Sequence, residues 1–203
     1  MKMENNSKSA IIWLTIAHCI CDVYGGFINP LMPFIASKLG FTMALATVIV
    51  AITQICSNML QPVFGFFADN MLKRFFIFWG LILASTFIPM AASAPSVHLL
   101  IIFMIFGCLG GSFFHPQSLG FINIFSKTNY SGNMGVFVSL GSAGFALGPL
   151  LAAYIVQYIG LEKVCYASVL GLSCAITMFL FVPKLSTTKR HPEHKDFFKS
   201  LQS

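Results

Sequence analysis

The sequence predicts an all-α membrane protein of six transmembrane helices, arranged as two inverted three-helix repeats. Three observations predict it. Of 203 residues, 57% are hydrophobic and only 9% charged, with a mean hydropathy of +0.82, whereas a soluble domain carries about 25% charged residues. Apolar runs long enough to cross a bilayer, which takes about 20 residues, recur six times. Glycine and proline interruptions recur between the first three runs and the last three.

The runs cover about Ala10–Ala36, Thr42–Ala68, Phe75–Ala94, Val97–Phe125, Met134–Tyr158 and Val164–Val182. Their separators carry helix breakers: Lys38-Leu39-Gly40, Asp69–Arg74, Ala94-Pro95-Ser96, Ser126–Gly132 and Gly160–Lys163. Such short connections force neighbouring helices to run antiparallel. The first run contains His18, Asp22 and prolines and is too long for the apolar core of a signal peptide, so it reads as a mature span. This composition excludes a soluble enzyme, a nucleic-acid reader, a disulfide scaffold and a disordered tail. The six cysteines lie in or beside apolar runs and read as small buried hydrophobes.

Charge sets the orientation. With both ends cytoplasmic, Lys2, Lys8, Lys73, Arg74, Lys127, Lys184, Lys189, Arg190, Lys195 and Lys199 share that side, and only Lys38 and Lys163 face away. Basic residues concentrate on the cytoplasmic side of membrane proteins, so the net charge of +6 reports topology rather than a nucleic-acid partner. The expected organisation is a cytoplasmic N-terminus over 1–9, a bundle over 10–183 with repeats at 10–94 and 97–183, and a basic cytoplasmic tail over 184–203.

The repeat shows in matching interruptions. Gly25-Gly26 precedes Asn29-Pro30 in the first run, and Gly110-Gly111 precedes His115-Pro116 in the fourth; Pro62 and Pro149 match in the second and fifth. Three helices is an odd number, so the second copy must be inverted. Inverted repeats with interrupted helices are typical of secondary transporters, where the interruptions point to the substrate path. The carbonyls that a proline frees are tolerable only against protein or a wet cavity.

Polar residues fall in stripes. His18, Asp22, Gly25 and Asn29 lie on one face of the first helix. Asp22 is the one acidic residue well inside a span, and an ionised carboxylate there costs about 2.5–3.5 kcal/mol on insertion scales. It therefore needs a cavity or a proton shared with a partner, and His18 is one turn away. Two readings stand: a hydrogen-bonded packing pair, or a proton- and substrate-handling pair. His115, with Ser112 and Ser118 nearby, is either a packing residue or a second group on the path. Thr47, Ala51, Gln54, Asn58, Gln61 and Gly65 form a stripe that is an interhelical seam or, with the other two stripes, a cavity lining. Gly141, Gly144 and Gly148-Pro149 read as a tight helix-packing surface.

Other chemistry is weaker. Cys19 and Cys21 point roughly 200° apart on a helix and cannot close on one metal ion, so neither a metal nor a cofactor is expected. Gly110-Gly111-Ser112 suggests an intramembrane serine protease, but its nucleophile lacks a well-placed base. No phosphate-binding loop is present. The expectation is a non-enzyme.

Gly65-Phe66-Phe67-Ala68-Asp69-Asn70-Met71-Leu72-Lys73-Arg74 resembles the cytoplasmic loop signature of the major facilitator superfamily, with Gly65, Asp69, Lys73 and Arg74 fitting and Asn70 and Leu72 departing. Gly144-x-x-x-Gly148-Pro149 is similar to that superfamily's fifth-helix motif, with Ala152-Ala153 in place of its closing glycines. His18-x-x-x-Asp22, Gln61-Pro62-x-x-Gly65, Phe114-His115-Pro116 and the run Gly141–Ala153 look most like its fosmidomycin-resistance branch of drug exporters.

The resemblance implies one half of a twelve-helix transporter working by alternating access in a bacterial plasma membrane. Asp69, Lys73 and Arg74 would form a gating latch beside Gly65. His18, Asp22 and His115 would handle protons or a small-molecule substrate, with Asn29, Gln54, Asn58 and Gln61 along the path. A further six helices would follow Ser203 in that family, so the expected partners besides lipid are a missing C-terminal half or a second copy. The chain is expected to be a truncated gene product, half of a split transporter or a self-pairing carrier. A non-transporting scaffold is the rival class.

Overall fold

The computed structural model describes residues 2–70, 74–126 and 129–183, with side chains from residue 7 to 67 in the first stretch. Six α-helices order as α1 (Lys2–Leu39), α2 (Met43–Asn70), α3 (Arg74–Ala91), α4 (Val97–Phe125), α5 (Tyr130–Tyr158) and α6 (Ser168–Phe181). A 3-10 segment, Leu161–Ala167, leads into α6. No strand occurs among the described residues. Among the described residues, six segments are long and apolar enough to cross a membrane.

The boundaries have local causes. Gly40 ends α1 with φ +72°, a conformation that favours glycine, and Gly160 follows α5 with φ +111°. Ser96 caps α4 by accepting from the Leu99 amide at 3.3 Å. The helices α1 and α5 begin earlier than their apolar runs, because a helix continues through polar residues once its apolar turns are anchored.

The sixth span differs most from expectation, since it is not one continuous α-helix. The Tyr24 hydroxyl from α1 donates to the Ala167 carbonyl and accepts the Gly171 amide, each at 2.8 Å. Ala167 and Gly171 are four apart, so the tyrosine occupies the place of their direct helical bond. A side chain inserted into that ladder breaks it locally, and here it leaves both backbone groups satisfied.

The packing follows the repeat. The helix α1 packs on α5 as α2 packs on α4, and α3 packs on α4 as α1 packs on α6. Exchanging the first three helices for the last three maps these four pairings onto one another, while the α1–α3 contact has no α4–α6 counterpart of like extent. Lys38 at the end of α1 pairs with Glu162 and donates to the Ala92 carbonyl at 3.3 Å, joining three connections at one end of the bundle. At the other end Arg74 donates to the carbonyls of Phe179 and Val182 at 2.9 and 3.0 Å, with its guanidinium 4.2 Å from the Phe179 ring centroid.

The core has two apolar clusters. One gathers Tyr24, Phe27, Leu31, Ile35, Ile88 and Leu100 toward the Lys38 end; the other gathers Leu14, Ile77, Leu81, Phe114, Phe121 and Phe137 toward the Arg74 end. Outside, Met59, Leu150 and Leu180 are 67–71% exposed, with Ile12, Ile55 and Val169 beside them in kind. In water such a surface would aggregate, whereas in hydrocarbon it is the ordinary outer face.

Candidate functional site

The polar side chains at membrane depth come together between the two apolar clusters. Asp22 lies one turn from His18 on α1, and its Oδ2 is 3.2 Å from His18 Nε2. The crossing of α4 brings His115 Nε2 to 3.5 Å from Asp22 Oδ1. The two imidazoles meet edge to face with centroids 5.3 Å apart. A carboxylate thus sits between two histidines from different helices, an arrangement the sequence could not display because 93 residues separate Asp22 from His115.

The helix α5 fixes His18. The imidazole stacks on the Phe137 ring at 4.0 Å, and its Nδ1 is 3.0 Å from the Phe137 carbonyl oxygen. A carbonyl only accepts, so Nδ1 carries the proton in this bond. In the neutral ring Nε2 is then a bare lone pair directed at Asp22. A lone pair facing a carboxylate oxygen is favourable only when a cation, a proton included, lies between them.

Glycine makes room for this arrangement. A Cβ on Gly141 would stand 2.6 Å from His18 Nδ1 and 2.7 Å from Asp22 Oδ2, nearer than side chains tolerate. Gly144 and Gly148 press against the carbonyls of Cys19 and Val23, and Gly26 meets Phe145, Gly148 and Pro149 in return. Small residues on both helices permit backbones this close.

A cavity of about 500 Å³ opens beside the cluster. Its lining includes Asp22 and Gly25 from α1, Gln54, Asn58 and Gln61 from α2, Gly111 and His115 from α4, and Ser142 from α5. Gly25 and Gly111 are the matched interruption residues of the two repeats. Asn58 and Ser142 are exposed, so one side of this space is unwalled by the described residues.

Asn29 stands apart from the other path candidates. It is exposed and outside the cavity, whose α1 lining runs from Cys21 to Ile28. The helical face that carries Asp22 and Gly25 has left the cavity one turn later. Thr47 and Ala51 are likewise exposed and off the lining. A Cβ on Gly65 would stand in ordinary contact with Pro116, at 3.8 Å. The Asp69 side chain and all of Lys73 lie outside the described residues, while Arg74 is engaged with the end of α6.

Sequence reading missed Ser57, one position off the α2 stripe. Its hydroxyl is 2.7 Å from that of Ser112 and 3.0 Å from the Cys108 carbonyl, and Ser112 donates back to the Ser57 carbonyl at 2.9 Å. This clasp joins α2 to α4 in the cavity wall, where Ser57 is a lining residue, and commits the Ser112 hydroxyl to backbone oxygen. Gly141 carried a signal only as part of a glycine series, which indicates close approach and not what is approached.

His18, Asp22 and His115 each offer one ligand atom, all within 4.8 Å of one another. No cysteine joins them.

Known proteins are similar to the chain in sequence. The chain is 24% identical over 165 residues to the fosmidomycin resistance protein of Escherichia coli, covering 81% of this chain and 41% of the relative. It is 26% identical over 166 residues to the quinolone resistance protein NorA of Staphylococcus aureus, covering 80% and 43%. It is 28% identical over 181 residues to an uncharacterized MFS-type transporter of Methanocaldococcus jannaschii, covering 88% and 46%. The chain spans less than half the length of these curated relatives. Residues 14–203 match the family description "Major Facilitator Superfamily", and with six apolar helices built as described, the chain is an integral membrane protein that belongs to the major facilitator superfamily.

Proposed function

We propose that the chain forms one six-helix wall of a secondary transporter, which exports a small drug-like solute by alternating access and couples that movement to protons. The observation that carries this reading is the convergence of Asp22, Gln54, Asn58, His115 and Ser142 from four helices on one cavity with an open side. The opposite wall is a second six-helix unit, either a C-terminal half or another copy. Two parallel copies are geometrically possible because both would enter the membrane in the same sense. The wall stands in a plasma membrane with both ends cytoplasmic, as the ten-to-two division of basic residues favours.

Asp22 with its two histidines is the coupling group. Loading a proton neutralises the carboxylate for passage through a closed state, and releasing it on the other side resets the site. One proton descending 100 mV provides about 2.3 kcal/mol, which sustains a gradient of about 50-fold in a neutral solute. The names of the relatives, which refer to resistance to fosmidomycin and quinolones, favour export. The wall alone is expected not to transport.

The test asks whether the cavity face meets water. In a cysteine-free background, Ser142→Cys should react in membranes with a charged, impermeant thiol reagent, while Leu180→Cys on the outer face should not. Protection of both positions would favour a scaffold whose polar stripes seat partner helices. In vesicles carrying a pH gradient, purified chain diluted to one copy per vesicle should give no flux of fosmidomycin or a quinolone. Flux that rises with protein density would identify a second copy as the opposite wall, and there Asp22→Asn should abolish the dependence on the gradient. Flux from single copies overturns the one-wall reading.

A further inference from the structure

We propose that His18, Asp22 and His115 form an exchangeable binding site for a borderline divalent transition-metal ion of the zinc class. The donor set is two imidazole nitrogens and a carboxylate, which suits zinc and its neighbours rather than magnesium or calcium, whose sites are built from oxygen. The spacing is close to that of a loaded site. Ligand bonds of about 2.05 Å at tetrahedral angles place donors about 3.3 Å apart. The structure has His18 Nε2 3.2 Å from Asp22 Oδ2 and His115 Nε2 3.5 Å from the other carboxylate oxygen, Oδ1, so the carboxylate meets each imidazole through a different atom. With one ligand atom taken from each residue the three lie within 4.8 Å of one another, so loading a tetrahedral ion draws the longest edge in by at most about 1.5 Å.

The surroundings fit a ligating histidine. Metal-bound imidazoles nearly always donate their second nitrogen to a carbonyl or carboxylate, which fixes the ring and leaves the other nitrogen bare. His18 does this through Nδ1 and the Phe137 carbonyl at 3.0 Å, with the Phe137 ring stacked on it at 4.0 Å. Gly141 keeps the backbone of α5 from intruding on the two α1 ligands. Three protein ligands leave a fourth position open, and here it faces the cavity, where water or a solute can fill it. Open three-ligand sites exchange their occupants, unlike closed four-ligand structural sites. The ion takes up the same side chains as the proton in the transport reading, yet its binding requires neither a second wall nor flux.

The experiment uses the purified 203-residue chain in detergent and Zn²⁺ alone, followed by competition with a fluorescent chelator, with Co²⁺ absorption as the spectroscopic check. One ion should bind per chain, and Co²⁺ should show the intense visible bands of a tetrahedral site. His18→Ala, Asp22→Asn and His115→Ala should each weaken binding by about 100-fold or more, while His98→Ala and the tail pair His191→Ala/His194→Ala should leave it unchanged. Size-exclusion profiles identify variants that have not folded, and Zn²⁺ should raise the unfolding temperature of the parent chain but not that of folded His115→Ala. Failure to bind, or binding that survives His115→Ala and disappears with the tail histidines, overturns the site. Either result leaves the water-accessibility and flux tests of the transport reading untouched, and loss of those leaves the ion site standing.

Discussion

Gly141→Ala tests whether the floor of the histidine–carboxylate cluster is set by α5. The new Cβ would lie 2.6 Å from His18 Nδ1 and nearer still to Cε1, where ordinary contact begins at 3.4 Å, so the imidazole must retreat by at least about 0.8 Å. Retreat by that distance breaks the 3.0 Å bond to the Phe137 carbonyl, a loss of about 1 kcal/mol, and adds overpacking strain, for a total of about 1–3 kcal/mol. The assay is reversible unfolding in mixed micelles, run as a double-mutant cycle with His18→Ala. Removing the imidazole first removes the obstacle, so Gly141→Ala should cost at least about 1 kcal/mol less in that background. Gly135→Ala, on the same helix with nothing within 4 Å of its Cβ, serves as the control and should cost nothing. Equal costs of Gly141→Ala in the two backgrounds would refute the reasoning, because the glycine would then matter to α5 and not to the site.

Other perturbations test the frame around the site. Tyr24→Phe strips the hydroxyl that satisfies Ala167 and Gly171 and should destabilise the chain by about 1–3 kcal/mol, read in the same unfolding assay; a neutral result would mean the direct helical bond simply re-forms. Arg74→Met removes two charge-assisted bonds to the end of α6, worth about 1.5–3 kcal/mol each at most, and should speed hydrogen exchange in the last turn of α6 before anywhere else. Ser57→Ala and Ser112→Ala should couple by about 0.6 kcal/mol, the average for hydrogen bonds between membrane helices, so that the double variant costs less than the two singles together. Glu162→Gln, by contrast, should change stability by less than about 1 kcal/mol, since the carboxylate that meets Lys38 is 58% exposed.

Much of the fold was legible because lipid imposes a simple rule. Backbone groups must be satisfied within each segment, so every apolar run of sufficient length becomes a helix, and α4 begins and ends where its run does. The alternating short connections then dictate the antiparallel order. Contacts between helices were less visible. His18 and Asp22 are one turn apart and could be paired from periodicity, whereas the approach of His115 depends on how α4 crosses α1, which no local pattern encodes. Asn29 is the converse case: it shares a helical face with Asp22 but is not on the cavity lining, whose α1 residues end at Ile28. The interrupted start of the sixth span was hidden for a similar reason. Its cause is a hydroxyl supplied from 143 residues away, while its own sequence reads as continuous apolar helix.

The seam between α1 and α5 governs where this molecule can yield. With Gly26, Gly144 and Gly148 set against main-chain atoms of the facing helix, sliding either helix along the other drives atoms into collision within a fraction of a turn. The pair therefore behaves mechanically as a single stiff beam that carries His18, Asp22 and Phe137 as one rigid jig. His115 rides on α4, which meets α5 only sparsely, touches α1 more, and packs chiefly on α3 and α2. Parting His115 from the other two therefore takes a turn of its own side chain or a tilt of α4 against the beam, with α4 as the jaw and α1 with α5 as the anvil.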